Sequence, residues 1–123
     1  MNLLLVMLGG AVGAGARHLV GRLTLALLGP GYPWGTLAVN LIGGLAMGLL
    51  AGILARGSWG EPMRLLLGVG ILGGFTTFSA FSLDVMTMIE RGQAAAAIGY
   101  VLVSVIGSVL ALFAGLQTVR VLA

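Results

Sequence analysis

Asn40 is the only Asn inside a long apolar run of this sequence. Its amide offers two N–H donors and one acceptor. It reads either as a hydrogen-bonding tie between helices or as a donor to a passing anion. Arg17 is the second unusual residue, because an ionised side chain in an apolar helix is expensive and must face protein or water. It reads either as a snorkelling Arg near a helix end or as a charge that attracts anions at a pore mouth. Spacing alone does not separate the two. Tyr100, Ser104 and Ser108 are four residues apart. At about 100° per residue they occupy an arc of about 80°, a hydroxyl ladder two turns long. Hydroxyls also bond back to their own helix, so a structural reading stays open.

The most informative segment is Gly70-Ile71-Leu72-Gly73-Gly74-Phe75-Thr76-Thr77-Phe78-Ser79-Ala80-Phe81-Ser82. Paired Gly followed by Thr-Thr is poor helix material in the middle of an apolar run. Irregular backbone at membrane depth is tolerated only where it is buried or lines a site, where it offers carbonyls to a cation and N–H groups to an anion. A broken helix is the favoured reading. Phe78 and Phe81 lie three apart and share a face. A Phe stripe usually belongs to a core, but ring edges carry positive quadrupole charge and can meet an anion. Asp84 reads as structural or paired rather than catalytic. The single His18 cannot build a metal site alone, and the absence of Cys excludes disulfides and thiolate ligation. No nucleophile, base and orienting group form a set, so the chain does not read as an enzyme.

These residues sit on elements defined by hydropathy. Of the 123 residues, 59% are hydrophobic and 7% charged, too little charge to cover a soluble domain. The net charge of +3 comes from six scattered Arg and three acids, not from a basic face, so nucleic acid is not a partner. Four runs reach the length of about 20 apolar residues that a bilayer requires. They are predicted at about residues 2–28, 34–54, 63–89 and 93–121, in a single transmembrane domain over 1–123. The segment Met1 to Ala16 lacks a basic start and reads as part of the first span rather than as a signal peptide. Gly29 to Pro33, Arg56 to Pro62 and Glu90 to Gly92 are the connections, and their brevity makes neighbouring helices antiparallel. Gly9 and Gly13, then Gly44, Gly48 and Gly52, form stripes that predict close helix contacts. Ala95, Gly99, Gly107, Ala111 and Gly115 predict the same for the fourth helix. With Arg56, Arg64 and Arg120 at one set of ends and Arg17, Arg22 and Arg91 toward the other, the charge bias that sets orientation vanishes. Insertion in both orientations is expected.

Three motifs then resemble the CrcB/Fluc family of fluoride channels. Gly9 to His18 is similar to that family's first-helix motif, Gly35 to Gly43 to its second, and Gly73 to Ser82 to its third-helix signature. Their order and spacing cover essentially the whole chain. The resemblance implies an all-α, four-helix membrane protein with a broken third helix, assembled as an antiparallel dual-topology homodimer in the inner (plasma) membrane. It implies passive export of fluoride, which lowers fluoride toxicity. It places Asn40, Phe78, Phe81, Ser79, Tyr100, Ser104 and Ser108 along the pore and Arg17 at the vestibule. It also implies a structural sodium ion at the dimer interface, held by the backbone carbonyls of Gly73 and Thr76. The chain departs from the family pattern at Ala80, where Thr is usual, at His18, where Tyr is common, and at Asp84, where Glu is frequent.

Fluoride is small and strongly hydrated, so a pore must replace its shell with donors that still release it. Neutral Asn, Ser, Thr and Tyr groups suit that task better than a lining of Arg. The alternative from another class is a small dual-topology multidrug or cation transporter. Such a carrier needs a membrane-embedded acid to couple protons to its cargo. Asp84 is the sole candidate, and the first helix has none. A non-conducting assembly subunit is a third reading, but it needs neither a broken helix nor a donor ladder.

Overall fold

The computed structural model describes residues 2–57 and 60–122. Ser58 and Trp59, within the predicted second connection, lie outside the described residues, as do Met1 and Ala123. The described chain is all-helical. It contains α1 (Asn2–Leu28), α2 (Trp34–Leu54), α3 (Glu61–Met63), a π-helical segment (Arg64–Leu72), α4 (Gly73–Phe75), α5 (Ser79–Glu90) and α6 (Ala94–Leu122). The pieces between Glu61 and Glu90 together form a third span, so four helical spans are long and apolar enough to cross a membrane. Mean hydropathy runs from 1.6 to 2.3 across them.

Local chemistry sets the ends. α2 begins directly after Pro33, and Pro62 occupies the first turn of α3, where its missing N–H costs nothing. The third span closes at Gly92. There the Gly92 N–H bonds to the Ile89 carbonyl at 3.0 Å and the Gln93 N–H reaches the Met88 carbonyl at 2.9 Å. This six-to-one closure needs a left-handed residue, and Gly92 supplies it with φ 77°.

Two close helix pairs organise the bundle. α2 packs on α6 with Gly44 and Gly115 at the contact. A Cβ on Gly44 would lie 2.8 Å from the Ser108 carbonyl oxygen, and one on Gly115 would lie 2.5 Å from the Leu45 carbonyl oxygen. α1 packs on the third span in the same way. A Cβ on Gly9 would lie 2.6 Å from the Leu66 carbonyl oxygen, and one on Gly13 would lie 2.8 Å from the Phe75 nitrogen. In hydrocarbon there is little hydrophobic force between helices, so such backbone contact carries much of the association. Gly99 does not follow the predicted stripe: a Cβ there meets nothing within 4 Å. The α6 stripe is in contact only lower down, where it faces α2.

A compact core forms where α2, α5 and α6 meet, from Leu37, Phe81, Met88, Ala97 and the fully buried Tyr100. Elsewhere large apolar side chains point outward along every span, as in a protein solvated by lipid chains.

In the third span the paired Gly, weak helix material in the sequence, does not itself leave helical geometry. Gly73 and Gly74 remain helical within α4, and the chain leaves helical geometry at Thr76, with φ −83° and ψ 161°. Thr76, Thr77 and Phe78 separate α4 from α5. α1 backs Gly74 closely: a Cβ there would lie 2.7 Å from the Gly10 carbonyl oxygen. The π-helical segment upstream was not legible from composition.

Candidate functional site: a polar cavity beside the third-span turn

Thr76–Phe78 reverses the usual hydrogen-bond pattern of a helix. In a continuous helix the N–H groups of Thr77 and Ala80 would reach the carbonyls of Gly73 and Thr76. Here the Thr77 N–H donates to Asn40 Oδ1 at 3.1 Å, and the Ala80 N–H donates to Thr77 Oγ1 at 3.2 Å. The Thr76 N–H and hydroxyl both donate to the Leu72 carbonyl, each at 3.0 Å, which ends the upstream helix tidily. The Thr77 hydroxyl in turn satisfies the first turn of α5.

Asn40 is the partner that holds this turn. Its Nδ2 donates to the Thr77 carbonyl at 3.1 Å while its Oδ1 accepts from the Thr77 N–H. The amide thus pairs with both backbone groups of one residue, as a neighbouring strand would. A backbone N–H can only donate, so the amide orientation is fixed and one N–H of Nδ2 remains for another acceptor.

Asn40 also lines a cavity of about 410 Å³ together with Thr76, Phe78, Phe81, Ser104 and Ser108, among others. Phe78 and Phe81 stand with ring centroids 5.7 Å apart and planes inclined by 43°. Phe81 is buried and continues to Tyr100 at 5.2 Å, whereas Phe78 is 78% exposed. Phe78 therefore points away from the packing of its own chain. The Ser104 hydroxyl is buried and is the one buried side-chain polar atom without a hydrogen-bond partner among the described residues. Leaving such a group unpaired costs about 1–3 kcal/mol. Ser108 Oγ makes only a long contact of 3.4 Å to the Asn40 carbonyl.

The predicted residues divide as follows. Asn40, Phe78, Phe81, Ser104 and Ser108 converge on one cavity. Tyr100 does not line it; its hydroxyl donates to Asp84 Oδ2 at 3.1 Å, and its ring packs on Phe81 and Tyr32. Ser79 is exposed at the start of α5 and lines no described cavity. Arg17 lines a second cavity of about 580 Å³ with His18, Arg22, Tyr32, Thr77 and Asp84. Two Arg side chains against one acid make that cavity electropositive, and the acid accepts a hydrogen bond from Tyr100. Arg17 also donates through Nε to the Gly74 carbonyl at 3.2 Å. Ala80 borders the second cavity with Thr77. The Thr76–Ala80 segment thus separates the two cavities.

Thr77 is the residue that sequence reasoning missed. Its hydroxyl and both backbone groups organise the turn, but pairing between a side chain and a distant backbone leaves no periodic signal.

Comparison with known proteins agrees along nearly the full length. The profile of the family described as CrcB-like protein, Camphor Resistance (CrcB), matches residues 4–116. A protein of Sphingopyxis alaskensis named fluoride-specific ion channel FluC is 60% identical over 116 residues, which cover 94% of this chain and 92% of that one. Proteins of the same name from Mesorhizobium japonicum and Phenylobacterium zucineum are 56% and 61% identical. Those matches cover 97% and 96% of this chain and 96% and 94% of the relatives. With the profile and its relatives aligned from the first helix to the last, this chain belongs to the CrcB family of multi-pass membrane proteins.

Proposed function

We propose that this protein is a passive, fluoride-selective channel that exports fluoride from the cytoplasm across the inner (plasma) membrane. The observation that carries the reading is the buried Ser104 hydroxyl without a partner, in a cavity shared with Asn40 and the Phe78–Phe81 pair. Folding leaves such a donor unsatisfied at a cost, and an anion in the cavity would satisfy it. The remaining Asn40 N–H and the ring edges add neutral, positively polarised contacts. Neutral donors hold a hydrated anion loosely enough to release it, which conduction requires. The electropositive cavity around Arg17 and Arg22 serves as the vestibule and raises the local anion concentration. The names of the relatives support the same ion.

The functional unit is an antiparallel homodimer. Phe78 projects from the single chain, so a second copy completes its surroundings. The six Arg divide three against three between the two ends, which permits insertion in both orientations. Thr76–Phe78 acts as a break in the third helix, and it releases carbonyls as well as N–H groups. The two carbonyls expected to bind sodium, those of Gly73 and Thr76, are the ones whose helical donors are diverted to Asn40 and to the Thr77 hydroxyl. Gly73 lies on the exposed surface of the chain. An orphan carbonyl in hydrocarbon costs several kcal/mol unless something satisfies it. Neutral oxygen donors suit a hard monovalent cation, so these residues fit a sodium ion shared between two copies. When bound, the ion would tie the two breaks together and offset part of the cost of bringing an anion nearby.

The transporter alternative loses ground on one observation. Asp84, its only embedded acid, is tied to the Tyr100 hydroxyl and lines the Arg-bearing cavity rather than the donor-lined one. The test is efflux from fluoride-loaded proteoliposomes, with charge balanced by a potassium ionophore and chloride as the control. Rapid fluoride release with chloride release at the protein-free rate is expected. Equal release of both anions, or release that requires a drug or proton gradient, contradicts the proposal.

A further inference from the structure

Arg17 does more than attract anions at the vestibule. Gly10, Gly13 and Arg17 follow one another at three and four residues along a single face of α1. Gly13 and Gly74 let the α1 backbone close on α4: a Cβ on Gly13 would lie 2.8 Å from the Phe75 nitrogen, and one on Gly74 would lie 2.7 Å from the Gly10 carbonyl oxygen. One turn further on, the Arg17 Nε–H donates to the Gly74 carbonyl at 3.2 Å. In a continuous helix that carbonyl would receive the Phe78 N–H. The extended Thr76, with ψ 161°, carries the chain off that path. Arg17 therefore supplies the donor that the turn removes, at the negative end of α4 and the π-helical segment behind it. A cation near a helix C-terminus both bonds the last carbonyls and complements their dipole.

We propose that Arg17 is a positioning residue, whose Nε–H bond to the Gly74 carbonyl fixes the end of α4 and thereby sets where Thr76–Phe78 stand in the donor-lined cavity. On the opposite side Asn40 grips Thr77. The turn is thus clamped between a side chain of α1 and one of α2, three residues apart along the third span. The guanidinium is suited to this because Nε and the two terminal nitrogens lie in one rigid plane. Nε bonds the carbonyl, and Arg17 also lines the electropositive cavity. A Lys has the charge without the fork. The proposal rests on the channel reading for its flux measurement but not for its structural one.

The experiment compares wild type with Arg17→Lys and Arg17→Gln in two readouts. The first is amide hydrogen exchange of the reconstituted protein across residues 75–80. Both variants should exchange about tenfold faster there, with α6 unchanged, because a charge-assisted bond at the turn is lost. The second is fluoride efflux at low and high concentrations of an impermeant salt. Lys should fail to rescue: Arg17→Lys keeps the charge yet is slowed at both salt concentrations, and Arg17→Gln is slowed at least as much. Unchanged exchange across 75–80 in both variants overturns the proposal. So does an Arg17→Lys protein that conducts like wild type while Arg17→Gln loses flux only at low salt, the signature of a screened charge. If Arg17→Gln does not assemble, Arg17→Lys alone decides both readouts. Wild-type protein that fails to pass fluoride would instead refute the channel reading, and the exchange data would still decide the role of Arg17.

Discussion

Asn40→Asp is the sharpest perturbation of the donor-lined cavity. The two side chains have nearly the same shape, and the acceptor for the Thr77 N–H survives the change. What changes is Nδ2, which becomes an oxygen 3.1 Å from the Thr77 carbonyl oxygen. One hydrogen bond is lost and two acceptors face each other, a local cost of about 1–3 kcal/mol. The effect on an anion is larger. The substitution removes the N–H left over for the cavity and places a negative charge on its wall. At about 4 Å and an effective dielectric constant of about 20, the repulsion between unit charges is about 4 kcal/mol. That corresponds to about a thousandfold in occupancy. Efflux from fluoride-loaded proteoliposomes should therefore fall to the protein-free rate. Gel filtration should show the variant folded like wild type, because the packing of α2 on α6 runs through Gly44 and Gly115 instead. Fluoride flux within about threefold of wild type would refute the reasoning, since the charge repulsion allows no such tolerance.

Four further outcomes are expected. Ser104→Ala should lower flux by about tenfold yet leave thermal stability equal or higher, because it removes a buried hydroxyl that lacks a protein partner; a loss of stability without loss of flux would contradict this. Phe78→Ile and Phe81→Ile should each reduce flux measured by the same efflux assay, since an aliphatic side chain has no positive ring edge. A Cys placed at Ser58 and labelled with an impermeant reagent should react from both sides of the membrane in about equal shares, as the balanced Arg distribution requires. Dimer stability should rise with sodium at low concentration while no sodium flux accompanies fluoride, which a thermal-shift series and isotope efflux would check.

The sequence made the spans legible because membrane crossing is a matter of length and apolarity, and the four runs have clear polar breaks at Gly29–Pro33, Arg56–Pro62 and Glu90–Gly92. The convergence of Ser104 and Ser108 was legible too, since a four-residue spacing holds one helix face. The partners of the polar groups were not. Asn40 with Thr77, Arg17 with Gly74 and Tyr100 with Asp84 join residues 37, 57 and 16 positions apart. Only tertiary packing brings them together. Gly73 and Gly74 read as weak helix material, yet the irregular segment lies after them. It begins at Thr76 because α1 supports Gly74 and because Asn40 draws away the Thr77 N–H. Likewise Gly99 continues a small-residue stripe on paper, yet meets nothing in the fold. A stripe records permission for contact, and the crossing of α2 over α6 decides where contact occurs.

The central claim is selective passive conduction of fluoride, and the most direct measurement of it is a reversal potential. The purified protein is fused into a planar bilayer with fluoride on one side and an equal concentration of chloride on the other. The account predicts a current whose reversal potential is displaced far toward the fluoride side and keeps moving as chloride is raised at constant fluoride only by the amount that leak allows. Substituting Asn40→Asp should abolish that current. A reversal potential near zero under these conditions, meaning that chloride passes as readily as fluoride, would contradict the account.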